Sequence, residues 1–168
     1  AGILIKDAEA LEHGHRIDVV VLDKTGTLTE GRPGVTAVEP APGVAEEDVI
    51  RLASALQHGS EHPLARAVLG AAAKDGITVV AASDFQSLAG RGVRGTVDGR
   101  MLYLGSPRLM EEIGASAENL AAKGTALETQ GQTVMWLAEA GAETRVLGII
   151  AAADQVKPHA QAAIARLR

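Results

Sequence analysis

The sequence predicts a mixed α/β chain: a parallel-type strand near the start, followed by an α+β unit built on an antiparallel sheet. Three observations point there. Residues 17–22, IDVVVL, form a short, largely β-branched run, the pattern of a strand buried on both faces of a parallel sheet. Asp98-Gly99 joins two strand-like runs as a two-residue hairpin turn does. Helical spacing up to Gly76 gives way beyond it to strand periodicity.

In chain order, residues 6–13 form a helix candidate closed by Gly14, and residues 17–22 a strand with Asp23 at its carboxyl end. Ligands gather beyond the carboxyl ends of strands in open α/β sheets, so Asp23 stands where a reactive group is expected. Residues 32–43 hold Pro33, Gly34, Pro40, Pro42 and Gly43, and read as a linker or edge segment leaving that sheet. Residues 46–57 place Val49, Leu52, Ala53 and Leu56 on one helical face. Ser60 is a candidate cap for a helix through residue 73, with Lys74 in its last turn and Gly76 beyond. Residues 77–82 read as a strand, and 93–97 with 100–104 as the hairpin arms. Residues 107–113 and 117–128 read as helices, 133–138 and 144–152 as strands paired around Gly141, and 157–168 as a closing helix. The division expected is 1–32, 33–150 and 151–168, with the antiparallel unit in the middle segment.

A chain of 168 residues can bury a substantial core. No stretch reaches the roughly 18–20 uninterrupted apolar residues of a spanning helix. The start AGILIKDAEALEHGH lacks the marks of a secretory signal, so a soluble chain in a cytosolic setting is expected. With no cysteine, disulfides and thiolate metal sites are excluded. The formal net charge is −5 and the 16 Lys and Arg are scattered singly, which leaves no basic patch for a phosphate backbone; nucleic acid is not an expected partner.

The chemistry concentrates in residues 23–31, DKTGTLTEG. A carboxylate is a competent nucleophile toward activated phosphorus, and an acyl phosphate splits hydrolysis of a nucleoside triphosphate into two steps. Lys24, the hydroxyls of Thr25 and Thr27, and backbone N–H groups bared by Gly26 are the donors that a moving phosphoryl group requires. A divalent cation, Mg²⁺ by preference, has to bridge Asp23 and the phosphate, because two anions otherwise repel. The competing reading is a strand followed by a capped turn, with Asp and Thr satisfying backbone donors.

The whole string resembles the phosphorylation signature of the P-type ATPases, ion pumps that form an aspartyl phosphate in each cycle. Further stretches follow in the family's order. GILIKDAEALE, residues 2–12, is similar to the cytosolic continuation of the last membrane helix before the phosphorylation site. SEHPLA, residues 60–65, resembles the His-Pro motif of the heavy-metal branch, and GRGVRG, residues 90–95, the glycine motif of its nucleotide pocket. DQVKP, residues 154–158, resembles the segment that returns the chain to the phosphorylation domain. The resemblance covers essentially the whole chain and implies a HAD-like, doubly wound phosphorylation domain, here partial, around an inserted nucleotide-binding domain.

By that resemblance Asp23 is the phosphorylated nucleophile and, with the backbone carbonyl of Thr25, a ligand of Mg²⁺. Related phosphatases of this fold carry an acid two positions after the nucleophile; Thr25 cannot do that work at neutral pH, which implies a longer-lived phosphoenzyme. Lys24 and Thr27 are assigned to the phosphate, and Asp154 and Lys157 to the site's border or the interdomain hinge. ATP binding is assigned to Gln57, Glu61, His62, Gly90, Gly92 and Gly105. On residues alone, a lone His such as His62 is an ordinary surface or capping side chain, and G-x-G-x-x-G describes a flexible hairpin entry equally well. Arg91 and Arg94 face either triphosphate or solvent.

Two positions depart from the family pattern. Gln57 stands where Glu is usual; an amide still accepts a hydrogen bond from the adenine amino group, so ATP binding with altered selectivity is expected. Ser106 replaces a frequent Asn, with shorter reach and fewer donors. The resemblance implies further phosphorylation, actuator and transmembrane domains as partners, a setting at the cytoplasmic face of a membrane, and copper(I) as the ion carried elsewhere, since Ser-Glu before His-Pro is typical of copper-exporting members. Two other readings stay open: a self-sufficient soluble phosphatase of the same fold, and a catalytically inactive adaptor.

Overall fold

The computed structural model describes residues 16–116 and 118–167; the helix expected at residues 6–13 lies outside them. Six strands form one antiparallel sheet in the order β1-β6-β5-β4-β3-β2. They are β1 (Thr29–Pro40), β2 (Ser83–Leu88), β3 (Gly92–Val97), β4 (Arg100–Gly105), β5 (Thr133–Ala140) and β6 (Arg145–Val156). Helices α1 (Glu46–Gln57) and α2 (Pro63–Lys74) share one apolar cluster with the sheet, and α3 (Pro107–Glu112) and α4 (Glu118–Thr129) share the other. A short α5 (Ala160–Arg166) follows β6.

The alternation of β5 shows how the layers form. Met135 and Leu137 enter the cluster with Leu52, Leu56 and Val68, while Val134, Trp136 and Ala138 enter the one with Leu109, Met110 and Leu120. A strand sandwiched between helices is apolar on both faces, so residues 134–138 are buried without a break. The β3–β4 hairpin turns on Asp98 and Gly99, with φ of 52° and 75°, the left-handed pair that a tight hairpin needs. Three carboxylates, Glu46, Glu47 and Asp48, occupy the first turn of α1, where they complement the helix dipole.

Four expectations are corrected. Residues 17–22 form no strand; Ile17 and Val21 are 61 % and 92 % exposed. A parallel strand exists only when paired, and among the described residues the single sheet is filled by other strands. Of linker or edge segment, residues 32–43 are the second, but on the antiparallel sheet: through Pro40 they belong to β1, an edge strand, where proline can sit without breaking a ladder on both sides. The register with β6 shifts twice along this pair, absorbing the irregularity. The strand expected at 77–82 lies at β2 instead, whose side chains are almost all exposed and mostly polar, with Phe85 and Leu88 too few to make an alternating apolar signal; residues 77–82 lead to it, with Val79 and Ala82 against the core. His62, not Ser60, caps α2, and the Ser60 hydroxyl accepts from the His62 N–H at 3.3 Å.

At the far end of the sheet Glu139 is clamped between two arginines. Arg100 donates to both of its oxygens at 2.6 and 2.9 Å, and Arg145 to one at 3.0 Å. The Arg100 hydrogen bonds hold the Glu139 carboxyl at about 2, against partial burial that pushes it up and with Arg145 assisting. A carboxyl depressed by folding adds stability above its unfolded value near 4.5 and loses it as pH falls toward 2. Glu139→Gln is expected to cost about 1–2 kcal/mol at pH 7. In urea unfolding that difference should shrink steadily below pH 4.5; a pH-independent difference would show that the carboxylate charge is not what matters.

Candidate functional site

The chain reaches Asp23 in extended conformation and then closes a tight turn over Lys24–Leu28. Gly26 takes φ of 79° there, with nothing within 4 Å of a Cβ, so backbone conformation and not crowding demands the glycine. Thr29, buried at the start of β1, organises the turn. Its hydroxyl accepts from the Gly26 N–H at 3.2 Å and stands 3.0 Å from the Lys24 carbonyl oxygen and 2.5 Å from Asp154 Oδ2. A hydroxyl has one proton to give, and the charged carboxylate at the shorter distance takes it.

The other end of the chain completes this arrangement. Asp154 Oδ1 accepts from the Arg32 N–H at 3.0 Å, and the register of β1 on β6 sets Pro33 opposite Asp154. Lys157 Nζ donates to the Gly26 carbonyl at 2.5 Å, while its own N–H reaches the Leu28 carbonyl at 2.9 Å. Asp23, Lys24, Thr25 and Thr27 all lie exposed on the turn. Asp154 thus has both oxygens engaged in fixing the turn, and its contact with Asp23 chemistry is through position. Thr29 is the participant that motif reading overlooked; its signal was being the last Thr of the string, at the point where polar turn meets strand.

Asp23 presents an exposed carboxylate, and with the Thr25 carbonyl of the turn it would offer oxygen ligands that fit a hard cation keeping most of its waters, such as Mg²⁺. Among the described residues, no three His, Asp or Glu are gathered as a ready-made metal site.

A second cleft of about 420 Å³ opens where the α1–α2 corner faces the β2–β3 turn. Gln57, His62, Gly90, Gly92 and Gly105 line it together, with Arg91 and Ser106. Glu61 does not; its carbonyl accepts from Arg66 Nη2 at 3.3 Å. Gln57 is only 7 % exposed, and its Oε1 has no hydrogen-bond partner, an unpaired buried acceptor in the wall of a cleft. His62 caps α2, its Nδ1 accepting the Leu64 N–H at 3.2 Å, which puts the proton of the neutral ring on Nε2. Capping and cleft-lining are one arrangement here: the cap fixes the ring at the cleft wall.

The glycines split by cause. Gly92 and Gly105 are register partners, and a Cβ on either would stand 2.2 Å from a carbonyl oxygen, of Leu104 and Arg91 respectively. Close approach of two backbones, rather than of a ligand, requires glycine at these positions, and it leaves the cleft floor bare. Gly90 has φ of 69° and open space around it, a turn glycine. Arg91 binds Glu112 at 2.9 Å and draws its carboxyl below the usual range, while Arg94 holds the Gln86 carbonyl oxygen at 2.8 and 3.0 Å on the exposed face, outside the cleft. The Ser106 hydroxyl accepts the Leu109 N–H at 3.4 Å as the cap of α3.

A family model described as haloacid dehalogenase-like hydrolase matches residues 17–168. The chain is 42 % identical over 166 residues to a copper-transporting P-type ATPase of Rhizobium leguminosarum bv. viciae, covering 99 % of this chain and 19 % of that protein. It is 40 % identical over 167 residues to a probable copper-importing P-type ATPase A of Enterococcus hirae, covering 99 % and 22 %. It is 39 % identical over 168 residues to a silver exporting P-type ATPase of Salmonella typhimurium, covering 100 % and 20 %. The chain spans about a fifth of the length of these curated relatives. Among solved structures, a zinc-transporting PIB-type ATPase in the E2.Pi state superposes with a TM-score of 0.76 at 35 % identity, covering 86 % of this chain and 23 % of that one. The catalytic domain of the CPx-ATPase CopB-B shares the fold with a TM-score of 0.67 at 21 % identity, covering 98 % and 55 %. The chain belongs to the haloacid dehalogenase-like hydrolase family, and its relatives there are metal-transporting P-type ATPases.

Proposed function

We propose that this chain is the ATP-binding region, with part of the phosphorylation domain, of a copper(I)-translocating P-type ATPase, in which ATP phosphorylates Asp23 to drive metal export. The observation that carries the reading is the convergence of Gln57, His62, Gly90, Gly92 and Gly105 on one cleft, with the Gln57 acceptor unpaired. Gln57 Oε1 is enclosed as well as unpaired, so a turn of its side chain toward the cleft would bring it to an adenine amino group, and the His62 Nε2–H remains as the ring's free donor. Copper as the metal is favoured by the names of the relatives from Rhizobium leguminosarum bv. viciae and Enterococcus hirae, the second of which is named as an importer.

In the transfer step an Asp23 carboxylate oxygen attacks the γ-phosphorus, the bond to the β–γ bridging oxygen breaks, and ADP leaves with that electron pair. Asp23 and the Thr25 carbonyl would hold Mg²⁺, which would supply charge neutralisation. Thr29, Asp154 and Lys157 hold the turn in shape, Lys24 and Thr27 meet phosphate oxygens, and Thr25 offers no acid to hasten hydrolysis. The region is placed at the cytoplasmic face of a membrane, beside actuator and transmembrane domains; among the described residues no helix is long and apolar enough to cross one.

Calorimetric titration of ATP tests the cleft. His62→Ala and Gln57→Leu are each expected to weaken ATP about five- to tenfold, since each removes one hydrogen bond from a buried partner. Absent binding, or binding indifferent to both changes, would sink the reading. Turnover of a generic phosphate ester with Mg²⁺, lost in Asp23→Asn, would point instead to a self-sufficient phosphatase.

A further inference from the structure

A third opening, of about 630 Å³, lies between the two sites, lined by Gly31, Arg32, Pro33, Pro63 and Arg66. Its floor touches the Asp23 turn: a Cβ on Gly31 would stand 3.6 Å from the Gly26 Cα. Its far wall is the first turn of α2, which also walls the nucleotide cleft. His62 and Leu64 line the nucleotide cleft, and Pro63 and Arg66 line this one. One helical turn therefore separates the purine cleft from a passage that ends at the phosphorylation turn.

Two guanidinium groups face this opening, Arg32 from β1 and Arg66 from α2. Arg51, Arg91, Arg100, Arg108 and Arg145 each hold a carboxylate within 3.3 Å. Among the described residues no carboxylate pairs with Arg32 or Arg66, and Arg66 reaches only the Glu61 carbonyl. In a chain of net charge −5, two like charges on one opening without a carboxylate mark a place where an anion belongs. Each arginine is also backed by structure: the Arg32 N–H is pinned by Asp154, and the backbone N–H of Arg66 reaches the His62 carbonyl at 3.3 Å.

We infer that Arg32 and Arg66 form the binding site for the polyphosphate tail of the nucleotide, gripping it between the purine cleft and Asp23. This rests on the nucleotide reading above and adds the residues that select triphosphate over monophosphate. A guanidinium fork matches phosphate oxygens bidentately, and the pair neutralises charge that would otherwise repel Asp23. Neither residue belongs to the machinery that reads the base.

The test is a binding comparison on the whole chain, with ATP, AMP and adenosine each titrated into wild type, Arg32→Gln, Arg66→Gln and Arg66→Lys. Each Gln variant should weaken ATP about tenfold while adenosine is unchanged, so that the ATP-to-adenosine affinity ratio collapses. Arg66→Lys should retain part of it, and the wild-type ratio should fall with added salt more steeply than in the variants. An unchanged ratio in both Gln variants, with adenosine and ATP still bound, would overturn the inference while leaving the nucleotide cleft intact. No binding of adenosine or ATP to the wild type would overturn the nucleotide reading itself and this inference with it.

Discussion

Asp23→Asn is expected to keep ATP bound, more tightly because a carboxylate no longer repels the triphosphate, and to abolish phosphoryl incorporation, by at least about a thousandfold, in the intact pump proposed here. The reasoning is spatial: Asp23 lies exposed on its turn and does not line the cleft that holds Gln57 and His62. An amide keeps the shape and loses the nucleophile. Acid-stable radiolabel from γ-labelled ATP measures the transfer, and a variant that still became labelled would place the phosphate elsewhere. Asp154→Ala is a graded companion. It frees the Thr29 hydroxyl and the Arg32 N–H, so labelling should slow by about ten- to a hundredfold with ATP binding retained. A rate untouched by that change would mean that the turn keeps its shape without the Asp154 clamp.

The second large effect is on stability. Gly92→Ala places a Cβ 2.2 Å from the Leu104 carbonyl oxygen and 2.6 Å from the Gly105 Cα, at a φ of 150° that side chains rarely adopt. Backbone on both strands must move, and the expected cost is about 3–5 kcal/mol, enough to unfold many domains of this size. Gly90→Ala, two residues away in the same motif, has open space and φ of 69° and should cost only about 1 kcal/mol. Urea denaturation of the pair separates the two causes: equal losses would mean that the glycine motif is needed for turn conformation throughout.

The contrast within that motif shows what sequence reasoning reached and what it did not. GRGVRG contributes Gly90 and Gly92 to the cleft wall, yet the reason for glycine at Gly92 is a partner glycine 13 positions on, visible only once β3 lies against β4. The Asp98-Gly99 hairpin and α1 were legible because their signals are local: a turn pair, and a spacing on one helical face. Residues 17–22 misled because apolar β-branched composition describes what a strand would bury, not whether a partner is present. β1 was missed because its prolines and glycines break local propensity, and only an edge position next to β6 makes them tolerable. Thr29 was marked in the sequence only by its place at the end of the string, and its role depends on Asp154, 125 residues away along the chain.

The central claim is that the cleft at the α1–α2 corner is the nucleotide site, and amide chemical-shift mapping during titration with ATP tests it most directly. The account predicts saturable shifts clustered at Gln57, His62, Gly90, Gly92, Gly105 and Ser106, continuing through Arg66 and Arg32 with ATP but not with adenosine. Shifts clustered on another surface, or none at millimolar ATP, would contradict it.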